Sequence, residues 1–308
     1  MYIVRFQGGL GNQMFQAAFF RMLECMYPRQ RILVDLTAYS DRRYHQGYEL
    51  KKIFNMKLPE ASSKEIRTLS HYVPIPRKWS VMAKLWRKLF SSNRKKKSEI
   101  CEDTYSIQKC EEFYADLFPL KEDNLFFEGF WVWKFEKAYQ VKTASIIEDW
   151  KSRVEKDFVF SKAVYEEKAE QIIQMQEAQS VSVHLRRGDY VGTGFDVCAQ
   201  EYYEAARAYL EKRIRKPVYY VFSDDMEYAK MAFKNWGNIN FVENNKNDEA
   251  WKDMFLMSQC RHHIIANSTF SFWGAYLGTM ENTITIAPKE YYNGKKGFCL
   301  AKESWITL

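Results

Sequence analysis

The sequence lacks the marks of a membrane-spanning or secreted protein. No apolar run among its 308 residues approaches the roughly 20 residues that a membrane-spanning helix needs, and Val218 to Phe222 is typical of the longest runs. A secretory signal would place an apolar stretch and a small-residue cleavage site near the start, whereas residues 2 to 6 predict a strand that leads into a glycine turn. We therefore expect a cytoplasmic protein.

Paired cysteines are missing as well. The chain contains no Cys-x-x-C, the spacing typical of zinc sites and redox pairs, so we expect reduced thiols without a metal or redox function. The six cysteines are Cys25, Cys101, Cys110, Cys198, Cys260 and Cys299.

A general excess of positive charge is absent too, although the net charge is +7. Nine Lys or Arg and no Asp or Glu lie between Arg77 and Lys97, and subtracting these nine from +7 leaves −2 for the rest of the chain. The excess belongs to one segment, which argues against a nucleic-acid partner despite the many aromatic residues.

That basic segment predicts a peripheral contact with a membrane. Residues 79 to 90 carry apolar side chains at helical spacing beside Lys84, Arg87 and Lys88, which is typical of a basic helix on an anionic membrane surface. A helix packed on the protein itself, followed by a solvated loop at 94 to 97, explains the pattern equally well. The apolar positions are Met82, Leu85, Trp86 and Leu89.

The chain length and the strand pattern predict two α/β domains. The start reads as a strand at Tyr2 to Phe6, a glycine turn, a helix at Gln13 to Tyr27 and a strand at Arg31 to Asp35, which is the opening unit of a parallel sheet. We place the boundary between residues 165 and 166, with a basic insertion near 71 to 100 in the first domain.

Strands and helices alternate again in the second half, as in a doubly wound parallel sheet. The strands are expected near Val181 to Leu185, Val218 to Phe222, Ile239 to Val242, Ile264 to Ala266 and Thr283 to Ile286. Between residues 40 and 165 the pattern is weaker, with a strand within Leu125 to Trp133 and helices at Val141 to Glu155 and Ala163 to Gln176.

Chemically active side chains follow several of these strands. In open α/β sheets, ligands bind beyond the carboxyl ends of the strands. Arg186 and Arg187, in the segment from His184 to Tyr190, can each form paired bonds to phosphate oxygens, and Asp189 can hold a guanidinium in place. A surface cluster of ion pairs is the alternative reading of this segment.

A second polar segment follows the apolar Ile264 to Ala266. Asn267, Ser268, Thr269 and Ser271 stand at the start of a predicted helix, where unpaired backbone N–H groups favour an anion. An ordinary helix cap would use the same residues.

Acidic side chains complete the set. Ser223, Asp224 and Asp225 follow the strand at 218 to 222, and Asp253 lies on the helix before the Ser/Thr segment. A carboxylate can accept hydrogen bonds from the N1 and N2 donors of guanine, but helix capping explains Asp224 and Asp225 equally well.

The glycine turn at the start of the chain resembles a nucleotide-binding turn only in part. Met14 stands where a dinucleotide-binding turn has its third small residue, and no Gly-Lys-Ser/Thr follows as in a P-loop. A turn that presents Asn12 to a cleft fits better, although a Rossmann-type oxidoreductase remains an alternative.

These segments together resemble the α-1,2-fucosyltransferases of glycosyltransferase family 11. The resemblance rests on Gly-Gly-Leu-Gly-Asn-Gln-Met-Phe-Gln at 8 to 16, His-Leu-Arg-Arg-Gly-Asp-Tyr at 184 to 190, Phe-Ser-Asp-Asp at 222 to 225 and Asn-Ser-Thr-Phe-Ser-Phe-Trp-Gly-Ala at 267 to 275. They occur in the family's order over nearly the whole chain. The α-1,6- and protein O-fucosyltransferases are more distantly similar.

The resemblance implies a GT-B-like fold, with two Rossmann-type domains facing a central cleft. The first domain would bind the acceptor, through Asn12 and Gln13, and the second would bind GDP-fucose. Arg186 would bind the donor pyrophosphate with support from His184 and Asp189, and Asp253 would recognise guanine. The other donor-binding residues would be Arg187, Ser223, Asp224, Asp225, Asn267, Ser268, Thr269 and Ser271.

The implied reaction transfers L-fucose from GDP-β-L-fucose to a galactose hydroxyl of an oligosaccharide or glycolipid precursor, with inversion; another GT-B glycosyltransferase is the nearest alternative. No Asp-x-Asp occurs in the chain to supply the common metal–diphosphate clamp, so we expect no metal and no cofactor. The catalytic base stays unassigned. Asp196 is one candidate, and Asn12 could instead position the nucleophile while water or phosphate takes the proton.

Overall fold

The chain divides into two compact units, Met1–Val159 and Phe160–Leu308. The computed structural model describes residues 1–40, 45–71, 96–102, 117–132, 144–243, 245, 247–294 and 299–308. The predicted membrane-binding helix at 79 to 90 and Cys110 lie outside these residues, as does most of the basic segment. This division falls six residues before the boundary expected from the sequence. The Phe160 ring packs on Trp251 and Phe255, so it belongs with the second unit.

The first unit contains a four-stranded parallel sheet. Its elements are β1 (Tyr2–Arg5), α1 (Leu10–Met26), β2 (Ile32–Asp35), α2 (Leu50–Phe54), α3 (Ser63–Leu69), β3 (Glu99–Cys101), β4 (Leu125–Glu128) and α4 (Ala144–Asp157). The strand order is β2-β1-β4-β3, and every pairing is parallel. The predicted strand–turn–helix–strand opening is confirmed.

Aromatic side chains hold α1 against this sheet. The Phe19 ring stacks on Trp131 with ring centroids 4.1 Å apart, and both are fully buried. The Trp150 indole on α4 donates to the carbonyl of Ala18 over 2.8 Å. Strands β1 and β2 are almost entirely apolar because helices cover the sheet, so the strands show no alternation of apolar and polar residues.

The second unit contains a six-stranded parallel sheet. Its elements are α5 (Lys162–Glu167), α6 (Ala169–Glu177), β5 (Ser180–Leu185), α7 (Gln200–Glu211), β6 (Val218–Ser223), α8 (Met226–Ala232), β7 (Ile239–Phe241), α9 (Trp251–Gln259), β8 (His262–Ile264), α10 (Thr269–Tyr276), β9 (Thr285–Ala287) and β10 (Ile306–Thr307). The strand order is β10-β9-β8-β5-β6-β7, again with parallel pairings.

The position of β8 differs from the prediction by two residues. The sequence predicts a strand at Ile264 to Ala266 because the run is apolar, whereas the strand spans His262–Ile264. His263 is fully buried in it, and its Nδ1 lies 2.8 Å from the Ser182 hydroxyl on β5. The contact satisfies Nδ1, while Nε2 has no hydrogen-bond partner among the described residues. A histidine thus occupies a central strand, and hydrophobicity alone could not show this.

No helix in the described part of the chain is long and apolar enough to cross a membrane.

Candidate functional site

The carboxyl edge of the second sheet has a point where the strand order reverses. From β5 the chain continues to β6 and β7 on one side, and then crosses to β8, β9 and β10 on the other. The reversal lies between the neighbouring strands β5 and β8. Ligands of doubly wound sheets bind beside such a point, which is flanked here by the residues after Leu185 and after Ile264.

Arg186 follows β5 and is held by two carboxylates. Its Nε and Nη2 lie 3.0 Å and 2.7 Å from Asp189 Oδ1, and its Nη1 lies 3.0 Å from Asp224 Oδ2. The guanidinium also faces the Tyr190 ring, 5.5 Å from its centroid. The side chain keeps 32% of its surface exposed, so these contacts orient the guanidinium and leave it open to a ligand.

Arg187 also bonds the residues that follow β6, but through different atoms. Its backbone N–H donates to Asp224 Oδ1 over 2.8 Å, and its Nε donates to Asp225 Oδ2 over 3.1 Å. The guanidinium carbon lies 3.5 Å from the centroid of the Tyr228 ring. Arg187 is therefore anchored to the start of α8, whereas Arg186 bonds Asp224 and the neighbouring Asp189.

Gly188 allows Asp224 to approach the arginine pair. A Cβ atom at Gly188 would lie 2.7 Å from Asp224 Oδ2, closer than real Cβ contacts allow. With any larger residue at this position, the Asp224 carboxylate would have to move away, so glycine permits its close approach.

The residues at the carboxyl end of β6 take part in helix capping and arginine binding. Ser223 Oγ accepts from the N–H of Asp225 over 3.0 Å, and Asp225 caps α8 by accepting from the N–H of Tyr228 over 3.2 Å. Capping, which the sequence left open, thus describes Asp225, whereas Asp224 bridges the two arginines.

The predicted phosphate-binding segment forms the start of α10. Ser268 caps the helix by accepting from the N–H of Phe270 over 3.3 Å, and Thr269 is the first helical residue. Asn267 and Ser271 serve internal structure instead. The Asn267 amide donates to the carbonyls of Phe195 and Tyr291, each over 2.9 Å, and the buried Ser271 hydroxyl bonds the carbonyl oxygens of residues 266 and 268.

His184 is the penultimate residue of β5, beside this site but beneath its surface. Burial, assisted by the charge of Arg186, lowers the pKa of His184 to about 3, so the ring is neutral at pH 7. Its Nδ1 has no hydrogen-bond partner among the described residues. The ring lies 5.8 Å from that of Phe270, which places it under the start of α10.

Two further acidic residues lie in different surroundings. Asp253 is in the first turn of α9, where its Oδ1 accepts from Asn245 over 2.8 Å. Burial raises the pKa of Asp253 to about 7. Asp196 lies on an exposed loop and accepts from the N–H of Gly192 over 3.3 Å, so its carboxylate closes a turn.

The first unit contains the glycine turn, which the buried Gln13 side chain holds by hydrogen bonds. Gly8 has a φ of +84°, which favours glycine. Gln13 is fully buried; its amide donates to the carbonyls of Gly8 and Gly47 over 3.2 Å and 2.9 Å and accepts from the N–H of Glu49 over 2.9 Å. This geometry gives Gln13 a structural task, whereas Asn12 is only half-buried.

A sequence model of the Glycosyl transferase family 11 matches residues 1–307. The chain belongs to this family. The family resemblance drawn from the motifs is confirmed, and so is the assignment of the chain as a glycosyltransferase. The oxidoreductase alternative is thereby excluded.

Two bacterial relatives of this family 11 transferase match nearly its whole length, and a human relative matches about a third of it. The O-antigen biosynthesis glycosyltransferase WbnK of Escherichia coli is 28% identical over 332 residues, covering 98% of each chain. An α-1,2-colitosyltransferase of Escherichia coli is 28% identical over 318 residues, covering 99% of this chain and 98% of its own. The human galactoside α-(1,2)-fucosyltransferase 1 is 35% identical over 103 residues, or 32% of this chain and 28% of the human protein.

Solved structures support the fold of the transferase. The NodZ α-1,6-fucosyltransferase co-crystallized with GDP superposes with a TM-score of 0.53 at 13% identity, covering 92% of this chain and 94% of NodZ. The predicted fold class, α/β and GT-B-like with two Rossmann-type units, is confirmed. The roles predicted for single residues stay predictions.

Three residues of the transferase that sequence reasoning missed connect to the predicted site. Glu49 accepts from the N–H of Leu10 at the start of α1, and Lys168 and Asn245 form a polar chain to Asp253. Glu49 and Lys168 do not follow a strand, and Asn245 lies four residues beyond the end of β7. None belongs to a recognisable motif, so no local signal marks them. Among the described residues, no group of three or more His, Cys, Asp or Glu could hold a metal ion.

Proposed function

We propose that this family 11 transferase moves L-fucose from GDP-β-L-fucose to a galactose 2-hydroxyl of an oligosaccharide or glycolipid precursor, with inversion and without a metal. The observation that carries the proposal is the placement of Arg186. Two carboxylates orient its guanidinium at the strand-order reversal, while a third of its surface is exposed. A preorganised, exposed cation at this point of a doubly wound sheet suits a diphosphate.

In the proposed reaction, the acceptor oxygen forms a bond to C1 of fucose while the bond between C1 and the β-phosphate oxygen breaks. The electron pair of that bond leaves with GDP, and the acceptor proton passes to water or phosphate. Arg186 and the positive end of the α10 helix dipole would stabilise the negative charge that develops on the diphosphate. Ser268 and Thr269 would add hydroxyl contacts to the phosphates.

Asp253 would recognise the base of the donor. An ionised carboxylate accepts the N1–H and N2–H donors of guanine together, a pattern that adenine does not offer. Its position in the first turn of α9 supports this role, since that helix runs between the parallel strands β7 and β8 and begins near the carboxyl edge of the sheet.

In the first unit, Asn12 would orient the acceptor hydroxyl. Gly8 gives the turn its backbone shape, and Gln13 bonds the turn to residues 47 and 49. Gln13 would thus support the acceptor site through the turn. The base stays unassigned between Asp196 and a proton transfer to water or phosphate.

Colitose is the second candidate for the transferred sugar. An α-1,2-colitosyltransferase covers 99% of this chain at 28% identity, as high as the identity to WbnK. Colitose is L-fucose without the 3-hydroxyl. A protein group that forms a hydrogen bond with that hydroxyl would favour fucose, and an apolar side chain at the same place would accept colitose. Comparing the two GDP-sugars as donors separates the candidates.

We further propose that the protein is cytoplasmic and that residues 77 to 97 bind the anionic inner face of the membrane. The support is the charge of this segment and the apolar spacing at 79 to 90. The wild type should sediment with anionic vesicles, and a variant with reversed charges in this segment should stay in the supernatant. Equal sedimentation of both would contradict the membrane contact.

One assay tests the reaction itself. Purified protein is given GDP-fucose or GDP-colitose with a panel of galactosides, and NMR determines the linkage and the anomeric configuration. An α-1,2-linked fucoside formed equally well in EDTA is the expected product. A β-linked product, a different linkage, or a complete loss in EDTA that metal restores would each overturn the corresponding part of the proposal.

A further inference from the structure

A chain of polar side chains leads to Asp253 from another part of the second unit. The Lys168 ammonium donates to Asn245 Oδ1 over 3.1 Å, and Asn245 Nδ2 donates to Asp253 Oδ1 over 2.8 Å. Asn245 is 8% exposed, and the Lys168 side chain is 15% exposed, so water competes little with either bond. The three side chains form a directed path from a cation to a carboxylate.

The direction of the Asn245 amide follows from its two neighbours. A lysine ammonium has three donors and no acceptor, so it binds the amide oxygen. The amide NH₂ then faces Asp253, where it meets an oxygen that accepts. With the charge of Lys168 removed, the amide could rotate and present its oxygen to the carboxylate, an arrangement that favours a protonated Asp253.

Other charged groups surround this path. Glu167 Oε1 lies 3.5 Å from Lys168 and 2.7 Å from the ammonium of Lys252, which also lies 2.6 Å from Glu249. These are the charged groups that face the path from α5, from α9 itself and from the short 3₁₀ helix at Asn247–Glu249. The two carboxylates balance the two ammonium groups.

All of these groups lie toward the carboxyl edge of the second sheet. Lys168 directly precedes α6, which runs back to the start of β5, and Asp253 lies in the first turn of α9, which runs back to the start of β8. Helices that return to the start of a parallel strand begin at the carboxyl edge. Arg186 and Ser268 occupy the same edge, so the path ends beside the proposed nucleotide site.

We propose that Lys168, acting through Asn245, orients Asp253 and keeps it ionised for the N1–H and N2–H groups of a guanine nucleotide. Lys168 and Asn245 are then positioning residues for donor selection. The inference rests on the guanine role given to Asp253 under Proposed function. It goes beyond that role because it makes guanine preference depend on a lysine that does not touch the base.

The effect of burial makes this assistance necessary. Burial raises the pKa of Asp253 to about 7, while the bond from Asn245 and the charge of Lys168 lower it. Because the pKa of Asp253 lies near 7, removal of the Lys168 charge would leave the carboxyl group largely protonated at neutral pH. Guanine recognition should therefore weaken as the pH falls through about 7 in the wild type, and at higher pH once Lys168 is neutralised.

The experiment measures GDP and inosine diphosphate binding by calorimetry between pH 6 and 8.5. Inosine diphosphate lacks the N2 amine but has the same diphosphate, so phosphate titration cancels in the ratio of the two affinities. For the wild type we expect GDP to bind about tenfold more tightly at pH 8.5, because a hydrogen bond to a charged group is lost with the inosine analogue. The ratio should fall toward one by pH 6, with a midpoint near 7.

Lys168→Met should move that midpoint upward by about one pH unit, which weakens GDP about fivefold at pH 7 and little at pH 8.5. Lys168→Arg should restore the wild-type profile. Asn245→Asp, which faces Asp253 with a second carboxylate, should reduce the ratio to near one at pH 7. Lys234→Met, which removes an exposed lysine of the same unit, is the matched control and should change nothing.

The outcomes separate the inference from the proposed function. Two results would overturn the role of Lys168 while leaving GDP binding intact. In one, the affinity ratio of folded Lys168→Met and Asn245→Asp has the same pH midpoint as that of the wild type. In the other, the affinity ratio of the wild type does not vary with pH. Failure of the wild type to bind GDP at all would overturn the proposed function, and the inference with it. Thermal unfolding of each variant shows that it is folded.

Discussion

Asp224 Oδ2 lies 3.0 Å from Nη1 of Arg186, across the 38 positions that separate the two residues in the chain. Strand β6 pairs in parallel with β5, so the residues that follow the two strands meet at one edge. Together with Asp189, the Asp224 carboxylate fixes the direction of the guanidinium. This preorganisation is the main physical support for a phosphate role of Arg186.

Arg186→Lys tests the planar geometry of that guanidinium. A lysine keeps the charge but offers one ammonium where arginine offers a fork that binds two oxygens. Loss of one donor aimed at developing charge costs about 3 kcal/mol, or on the order of 10²-fold in rate. We expect turnover of GDP-fucose to fall by that amount in a folded protein. Arg215→Lys, at an exposed arginine of the same unit, is the control, and unchanged turnover in Arg186→Lys would contradict the phosphate role.

Gly188→Ala tests the Asp224 contact without changing any charge. The added Cβ would lie 2.7 Å from Asp224 Oδ2 and should displace the carboxylate from Arg186. We expect kcat/KM to fall roughly tenfold or more, since small misplacements of a catalytic group are costly. Gly237→Ala is the matched control, because no atom lies within 4 Å of a Cβ placed there. Equal kcat/KM in the two variants would show that the Asp224 position does not matter.

Asn12→Ala tests the division of labour between the two units. The glycine turn belongs to the first unit, and the proposed GDP site belongs to the second. We expect turnover to fall by about 10²-fold while the Kd for GDP, measured by calorimetry, changes by less than about twofold. A parallel loss of GDP affinity would show that the turn contacts the donor instead.

Glu49→Gln tests the buried carboxyl beside the glycine turn. Burial raises the pKa of Glu49 from 4.5 to about 7, and Lys52 and the bond from Leu10 offset part of the shift. The folded protein therefore holds a proton that the unfolded chain releases, so the free energy of unfolding falls as the pH rises from about 4.5 to 7. The shift corresponds to about 3 kcal/mol.

The glutamine variant has no such titration, so its stability relative to wild type should increase from pH 4.5 to pH 8 by up to that amount. Denaturant unfolding at both values measures the difference. Glu155→Gln, at an exposed position of the same unit, should show no such change. A pH-independent difference between Glu49→Gln and wild type would mean that Glu49 stays ionised in the folded protein.

Much of the fold and part of the site could be predicted because they depend on local patterns. Runs such as Ile32–Asp35 and Val218–Ser223 are buried on both faces of parallel sheets, and burial leaves an apolar mark in the sequence. Arg186 and Ser268 could be found because each follows such a run. His262 and His263 escaped because their polar contacts come from elsewhere in the chain. His263 Nδ1 contacts Ser182 on β5, and His262 Nδ1 accepts from the N–H of Ile284, directly before β9.

The sequence by itself determined that the chain has two parallel α/β sheets and which residues stand at their carboxyl ends. Only the tertiary structure decided which of those residues face outward and which bond inward. Asn267, Ser271 and Gln13 stand at the predicted positions, yet their polar groups bind the backbone. Asp225 caps a helix and binds the Arg187 side chain, while Asp224 binds the Arg186 side chain. Lys168 and Asn245 meet across 77 positions. Such contacts depend on strand order and side-chain direction. Local sequence patterns specify neither, because both are set by residues far apart in the chain.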